Sequence, residues 1–163
     1  TFHLPIVSLF DQPGVMIGPD AEKAGTIRAA MRVLAAIEQS CVPWCTIIMR
    51  RAFGVAGAAH GRLGGINQRF AWPSASWGSI PIEGGIAAAY RRQIEAADDP
   101  AAFKQDLHDR FVGYTSPFRT AERFGINDVV DPRETRPLLC DWVETAWDQL
   151  PQLLGASSRT MRK

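Results

Sequence analysis

The segment from Gly54 to Gly65 is the part of this 163-residue chain whose residue types could do chemistry without an ionisable side chain. Gly and Ala fill it, apart from Val55, His60, Arg62 and Leu63. Small residues let a backbone approach a ligand closely, and the first N–H groups of a helix have no intrahelical partner. Placed after a strand and at the start of a helix, such amides can hold a developing oxyanion. The pattern lacks the G-x-x-x-x-G-K-[ST] of a phosphate loop and shows no clean G-x-G-x-x-G, so nucleotide binding has no support. Tight packing of a helix on a sheet, with no ligand, is the bland explanation of the same glycines.

The other reactive side chains form no constellation. His3, His60 and His108 are far apart, with no i, i+4 pair and no H-E-x-x-H, so no metal site is expected. Cys41, Cys45 and Cys140 are an odd number without metal-type clustering, and they read as thiols of a reducing cytosol. Ser74, Ser76 and Ser79 lie near Trp72 and Trp77 but in no G-x-S-x-G, which leaves a hydrolase triad unsupported. Asp131 and Thr135 read as caps of a final helix, while Arg133 and Arg136 could reach an anion. The charged residues between Arg91 and Asp109 read as a solvated helical face.

Elements that would position the Gly-rich tract can be read from periodicity. Leu4–Phe10 is an apolar, partly β-branched run that predicts a buried strand, stopped by the turn signal Asp11-Gln12-Pro13-Gly14. Helical spacing runs from about Ala21 to Gln39, with Ile27, Ala30, Met31, Leu34, Ala35 and Ile37 on one broad face. Pro43 ends that stretch, and Cys45–Met49 predicts a second buried strand directly before the tract. A third strand is expected around Phe70–Trp72, then a turn-rich stretch from Pro73 to Gly85. Helices are expected over Glu83–Ala97 and Pro100–Phe111, the second capped by Asp99 with Pro at its first position. One more helical turn (Thr120–Phe124), a short strand (Ile126–Val130) and a last helix from Asp131-Pro132 or Thr135 to Leu150 follow. Gly155–Lys163 reads as a frayed tail. Strands alternate with helices, which gives an α/β class and a single domain over 1–163.

Composition agrees with that class. Lys plus Arg is 18 and Asp plus Glu 17, a formal net charge of +1, which gives no reason to expect nucleic acid or an anionic membrane as the main partner. Hydrophobic residues at 46% and charged residues at 21% exclude general disorder. No apolar run approaches the roughly 18 residues a membrane helix needs. The first residues are Thr-Phe-His, with no basic signal region, and the expectation is a cut through a longer, cytoplasmic polypeptide.

Six segments, in one order along the chain, resemble a known family. They are Asp11-Gln12-Pro13-Gly14-Val15-x-Ile17-Gly18, Pro43-x-x-Thr46-Ile47-Ile48-x-Arg50-Arg51-Ala52-Phe53-Gly54, and Phe70-Ala71-Trp72-Pro73-Ser74-Ala75. Glu83-Gly84-Gly85, Ser116-Pro117-Phe118-Arg119-x-Ala121-Glu122 and Asp131-Pro132-Arg133-Glu134-Thr135-Arg136 complete the set. The family is the carboxyltransferase component of biotin-dependent acyl-CoA carboxylases of the propionyl-CoA and methylmalonyl-CoA type, together with related decarboxylases. The resemblance covers about residues 4 to 150 and corresponds to the C-terminal half of the family's chain; the N-terminal half, which supplies most of the acyl-CoA site, is not in this sequence.

The resemblance implies a crotonase-like superhelix of β-β-α units with flanking helices. It implies carboxyl transfer from carboxybiotin to a short-chain acyl-CoA, with backbone N–H pairs holding each oxyanion. Matched residue by residue, the pair on the biotin side falls at Val55 and Ala56, where Val55 replaces a glycine; one residue later, Ala56 and Gly57 are the other candidate pair. Pro13, Gly14, Gly54, Gly84 and Gly85 are the candidate biotin-binding residues. Biotin would arrive on a partner, a biotin carboxyl carrier protein or a biotinylated alpha subunit, and the chain would assemble as a homo-oligomer, trimeric or hexameric. Two alternatives stay open: the carboxyltransferase subunit of a biotin-dependent decarboxylase, and a non-catalytic truncated assembly protein.

Overall fold

The computed structural model describes residues 2–58 and 66–155. The chain order is β1 (Ile6–Gln12), α1 (Pro19–Lys23), α2 (Thr26–Gln39), β2 (Trp44–Phe53), α3 (Gly54–Ala58), β3 (Asn67–Ala71), β4 (Ser76–Gly78), α4 (Ile82–Ala89), α5 (Arg91–Ala96), α6 (Pro100–Val112), α7 (Pro117–Ala121), β5 (Asp128–Val129) and α8 (Thr135–Leu153). Short 3-10 turns at Gly113–Thr115 and Pro132–Glu134 precede α7 and α8 respectively.

All five strands pair in parallel, in the order β1-β2-β3-β5, with β4 also beside β2. β2 changes neighbour partway along. Its first half, Trp44–Ile48, pairs with β3, and its last residues, Arg51–Phe53, pair with β4. Because the sheet is parallel, both faces of its central strand are covered. Cys45 and Ile47 point to one side, where Phe70, Trp142 and Ala146 close a cluster under α8. Ile48 and Ala52 point to the other, against Ala71, Ala75 and Ile126. This period-2 division of a continuous apolar run is what a doubly covered strand requires.

The sequence-based elements hold with several corrections. β1 begins later and continues through Asp11 and Gln12, so the turn starts at Pro13. The long helix over 21–39 is two helices, broken where Gly25 takes the left-handed φ of 74°. The expected helix over 83–97 is likewise interrupted at Tyr90, whose φ and ψ of −113° and 14° leave the helical region. α7 starts at Pro117, three residues before the expected turn, because Pro suits the first helical position. β4 was not expected at all. Asp99 caps α6 as read, its Oδ1 accepting from the N–H groups of Ala101 and Ala102 at 3.0 Å each. α2 has no fully buried residue: on its apolar face Ala30, Leu34, Ala35 and Ile37 are half-buried, while Ile27 and Met31 are about half exposed, so part of that face is left uncovered. His60 and the tail from 156 onward lie outside the described residues.

Candidate functional site

β2 delivers the Gly-rich tract to the carboxyl-end edge of the sheet. In open parallel sheets, ligands bind outside this edge. At its last residue, Phe53, the chain turns through Gly54, which adopts φ 63°. A Cβ on Gly54 would stand 3.3 Å from the Ser79 carbonyl oxygen, so this position favours glycine on both counts. α3 follows at once. Gly57 packs its Cα against the end of β2, where a Cβ would lie 2.5 Å from the Ala52 carbonyl carbon and oxygen. Its glycine is therefore accounted for by packing. Val55 is 37% exposed and Ala56 is buried at 9%. Both line a cleft of about 300 Å³ with Phe10, Gln12, Val15, Ala30 and Val33.

The end of β1 reaches the same edge. Gly14 lies beside the end of β2, where an added Cβ would be in ordinary contact, 4.0 Å from the Phe53 carbonyl oxygen; its φ of 133° is what favours glycine there. Pro13 faces a second cleft of about 410 Å³, with Arg51, Phe53, Glu83 and His108 among its walls. In it, His108 Nε2 lies 3.8 Å from Glu83 Oε1. Gly54, Val55, Ala56 and Gly57 thus share the carboxyl edge of the sheet with Pro13 and Gly14, with Pro13 in a different cleft from Val55 and Ala56. Gly84 and Gly85 do not: they lie on α4, where Gly84 has open space around it and Gly85 lines an apolar crevice with Ile80, Tyr90 and Phe111. A larger cleft, about 610 Å³, lies between β3, β5 and the start of α8, away from this edge.

A polar device that spacing alone did not reveal anchors the edge. Between the pairs Phe10–Ile48 and Gln12–Ala52 the register of β1 and β2 slips, so that Asp11 alone opposes Met49, Arg50 and Arg51. The Asp11 carboxylate spans this bulge. Arg50 Nε and Nη2 donate to its Oδ2 at 3.0 and 2.8 Å, while Arg51 N and Nε donate to its Oδ1 at 3.1 and 3.0 Å. Hydrogen bonds from Arg51 and Arg50 hold the Asp11 carboxyl well below the usual carboxylate range. On the other edge of β2, Ser74 Oγ donates to the Met49 carbonyl at 2.7 Å. Sequence pattern marks Asp11 only as part of a turn and gives Ser74 no role beyond an unsupported hydrolase serine. The signal that could have found the pair is the acid before Pro-Gly together with two adjacent arginines four and three residues before Gly54.

Two of the sequence motifs are joined by indole donors. Trp72 Nε1 donates to Thr135 Oγ1 and Trp77 Nε1 to Thr120 Oγ1, both at 2.9 Å. Arg133 is held by Asp131, Nη2 to Oδ2 at 2.7 Å, within the capped turn before α8. Burial pushes the Cys45 thiol up to about 12, which fits a core residue and not a nucleophile. Among the described residues there is no cluster of His, Cys, Asp and Glu able to hold a metal, and no helix long and apolar enough to cross a membrane.

Comparison with known proteins agrees with this layout. Residues 1–159 match the carboxyl transferase domain. A propionyl-CoA carboxylase carboxyltransferase subunit from Haloferax mediterranei is 34% identical over 138 residues, covering 83% of this chain and 27% of that protein. The methylmalonyl-CoA decarboxylase subunit alpha of Propionigenium modestum is 32% identical over 142 residues, 86% of this chain and 28% of its own length. The crystal structure of transcarboxylase 12S, described as a hexamer assembly, superposes with a TM-score of 0.79 at 28% identity, over 99% of this chain and 31% of that one. The α/β, crotonase-like expectation is borne out. The chain spans under a third of the length of these relatives. With the matched residues running nearly end to end, the chain belongs to the carboxyl transferase domain family.

Proposed function

We propose that this chain forms the carboxybiotin side of an acyl-CoA carboxyltransferase, with most of the acyl-CoA site supplied by protein outside these residues. The observation that carries this reading is the passage from β2 through Gly54 into α3, which sets Val55 and Ala56 in the wall of a cleft at the carboxyl edge of a parallel sheet. Gly57 has a packing reason of its own, which favours Val55 and Ala56 as the donor pair.

The residues present fit a ureido ring. Phe10, Val15, Ala30 and Val33 give the cleft apolar walls, and Gln12 is its polar side chain. Bound carboxybiotin would supply the carboxyl group and leave negative charge on its ureido oxygen. The Val55 and Ala56 N–H groups would donate to that oxygen, and the apolar walls would keep water from weakening those bonds. Among the described residues, no His, Cys or Ser lines this cleft, and the contribution of those residues is positioning and charge stabilisation. The acceptor would be a short-chain acyl-CoA, as the names of the relatives suggest. The same edge serves a decarboxylase running the transfer in reverse, and the Propionigenium relative keeps that reading in view. Biotin carried on a separate protein or subunit and a homo-oligomeric assembly accompany the proposal.

The test is a pair of assays. The isolated chain should decarboxylate malonyl-CoA or methylmalonyl-CoA only at background rate, even with free biotin added. Supplied with the missing acyl-CoA half, it should transfer the carboxyl group. Robust turnover by the chain alone contradicts the division of labour, and transfer that proceeds equally without this chain contradicts its role.

A further inference from the structure

The geometry points to Asp11 as a positioning residue that aims the Val55 and Ala56 amides by locking the bulge in β2. This inference rests on the oxyanion reading of those amides. The bulge places Met49, Arg50 and Arg51 opposite a single residue of β1. It ends at Arg51, three residues before Gly54, so its shape sets where β2 delivers the turn and α3. Bulges commonly re-aim groups beside active sites. What fixes this one is polar and comes from both sides. Asp11 takes both guanidinium groups and the Arg51 main-chain N–H, and Ser74 takes the Met49 carbonyl.

Exposure decides whether these contacts serve stability or geometry. The side chains of Asp11, Arg50 and Arg51 are 25, 59 and 41% exposed. Ion pairs that wet contribute little to stability. A carboxylate that accepts four hydrogen bonds from two consecutive residues nevertheless admits few arrangements of the backbone between them. Three residues later Gly54 holds a left-handed φ, and Gly57 meets the Ala52 carbonyl without room for a Cβ. A shift in the bulge therefore passes along a rigid backbone to the two amides. The carboxylate touches no reacting atom; it acts through β2.

The experiment uses Asp11→Asn, Arg51→Lys and Ala56→Pro in the complete carboxyltransferase. Misplacement of about 1 Å costs on the order of a hundredfold in rate. Asp11→Asn should lower kcat for carboxyl transfer about tenfold to a hundredfold, with the acyl-CoA KM within about twofold. The double variant with Ala56→Pro should lose less than the product of the two single losses, because both act on one donor pair. Arg51→Lys keeps the charge and loses the Nε contact, and should show the same kcat-only loss should Asp11→Asn fold poorly. A second readout needs no biotin: in the full chain, amide exchange over residues 53–58 should become about tenfold faster in Asp11→Asn than in the parent. Ala56→Pro at parental rate overturns the oxyanion reading and this inference with it. A severe Ala56→Pro loss beside an Asp11→Asn variant with parental kcat and parental exchange overturns this inference alone, as does a double variant whose losses multiply.

Discussion

Asp11 Oδ1 accepts two hydrogen bonds from Arg51, a residue 40 positions away: one from its main-chain N–H at 3.1 Å and one from Nε at 3.0 Å. The pair ties the end of the edge strand to the end of the central strand at the one place where their register slips. It has a consequence for acid stability. A carboxyl whose folded value is depressed stabilises the fold above its unfolded value, near 3.9, and that contribution disappears as pH falls through the folded value. The thermal midpoint of the chain should therefore drop as pH is lowered from about 5 toward 2. In Asp11→Asn the decline should be shallower, though not absent, because Asp131 is also held low by Arg133. Thermal melts across that range measure it, and superimposable profiles for parent and variant would contradict the assignment.

Two glycines in sequence motifs should behave in opposite ways. A Cβ at Gly57 meets the Ala52 backbone at 2.5 Å, which cannot move aside as a flexible side chain would. Gly57→Ala should cost about 1–3 kcal/mol in urea unfolding. Gly84 lies within α4 with nothing within 4 Å of an added Cβ. Gly84→Ala should be neutral or stabilise by about 0.4–1 kcal/mol. Equal losses at the two positions would mean that packing does not explain Gly57.

The bond from Trp72 Nε1 to Thr135 Oγ1 fastens the loop after β3 to the first residue of α8. Trp72 also packs against the cluster under that helix. Thr135→Val keeps the shape and removes the acceptor, leaving a half-buried indole N–H unpaired. A loss of about 1–3 kcal/mol is expected in chemical denaturation. A variant as stable as the parent would show that water replaces the hydroxyl.

These contacts indicate which parts of the fold could be read from the chain. Apolar runs at Leu4–Phe10 and Cys45–Met49 predicted the two long strands; burial on both faces explains the continuous signal of β2, whereas β1 is an edge strand whose Val7 and Leu9 stay exposed, against the buried strand expected. β4 left no such signal. It has three residues, Ser76–Gly78, and exists only because β2 has a free edge after parting from β3. Gly25 and Tyr90 broke expected helices, since periodicity reports a face and not a bend in the axis. At the site, the glycine tract and the strand before it were legible from local pattern. The Asp11 clamp was not: its partners are 39 and 40 residues away, and nothing local marks the register slip that brings them together.

The helix α2 carries a further expectation. Its apolar residues Ile27 and Met31, one turn apart, are 49 and 51% exposed. An uncovered apolar face of this kind promotes association. The chain should self-associate at micromolar concentration, and Ile27→Glu with Met31→Glu should shift it toward smaller species in light scattering. A parent chain that is monodisperse and monomeric would count against an assembly surface here.

The most direct test of the account is a proline scan of Val55, Ala56 and Gly57 in the complete enzyme. Proline removes one backbone N–H and fixes φ, and the start of a helix tolerates it best at the first position. If the Ala56 N–H is aimed at the ureido oxygen, Ala56→Pro should cost about 3 kcal/mol in carboxyl transfer, on the order of a hundredfold or more in rate, with much less effect on acyl-CoA binding. Val55→Gly should remain within a few-fold of the parent, since only the backbone donates. Three folded proline variants with near-parental transfer rates would contradict the account and move the site away from this segment, with the turn from Asp11 to Gly18 as the next place to look.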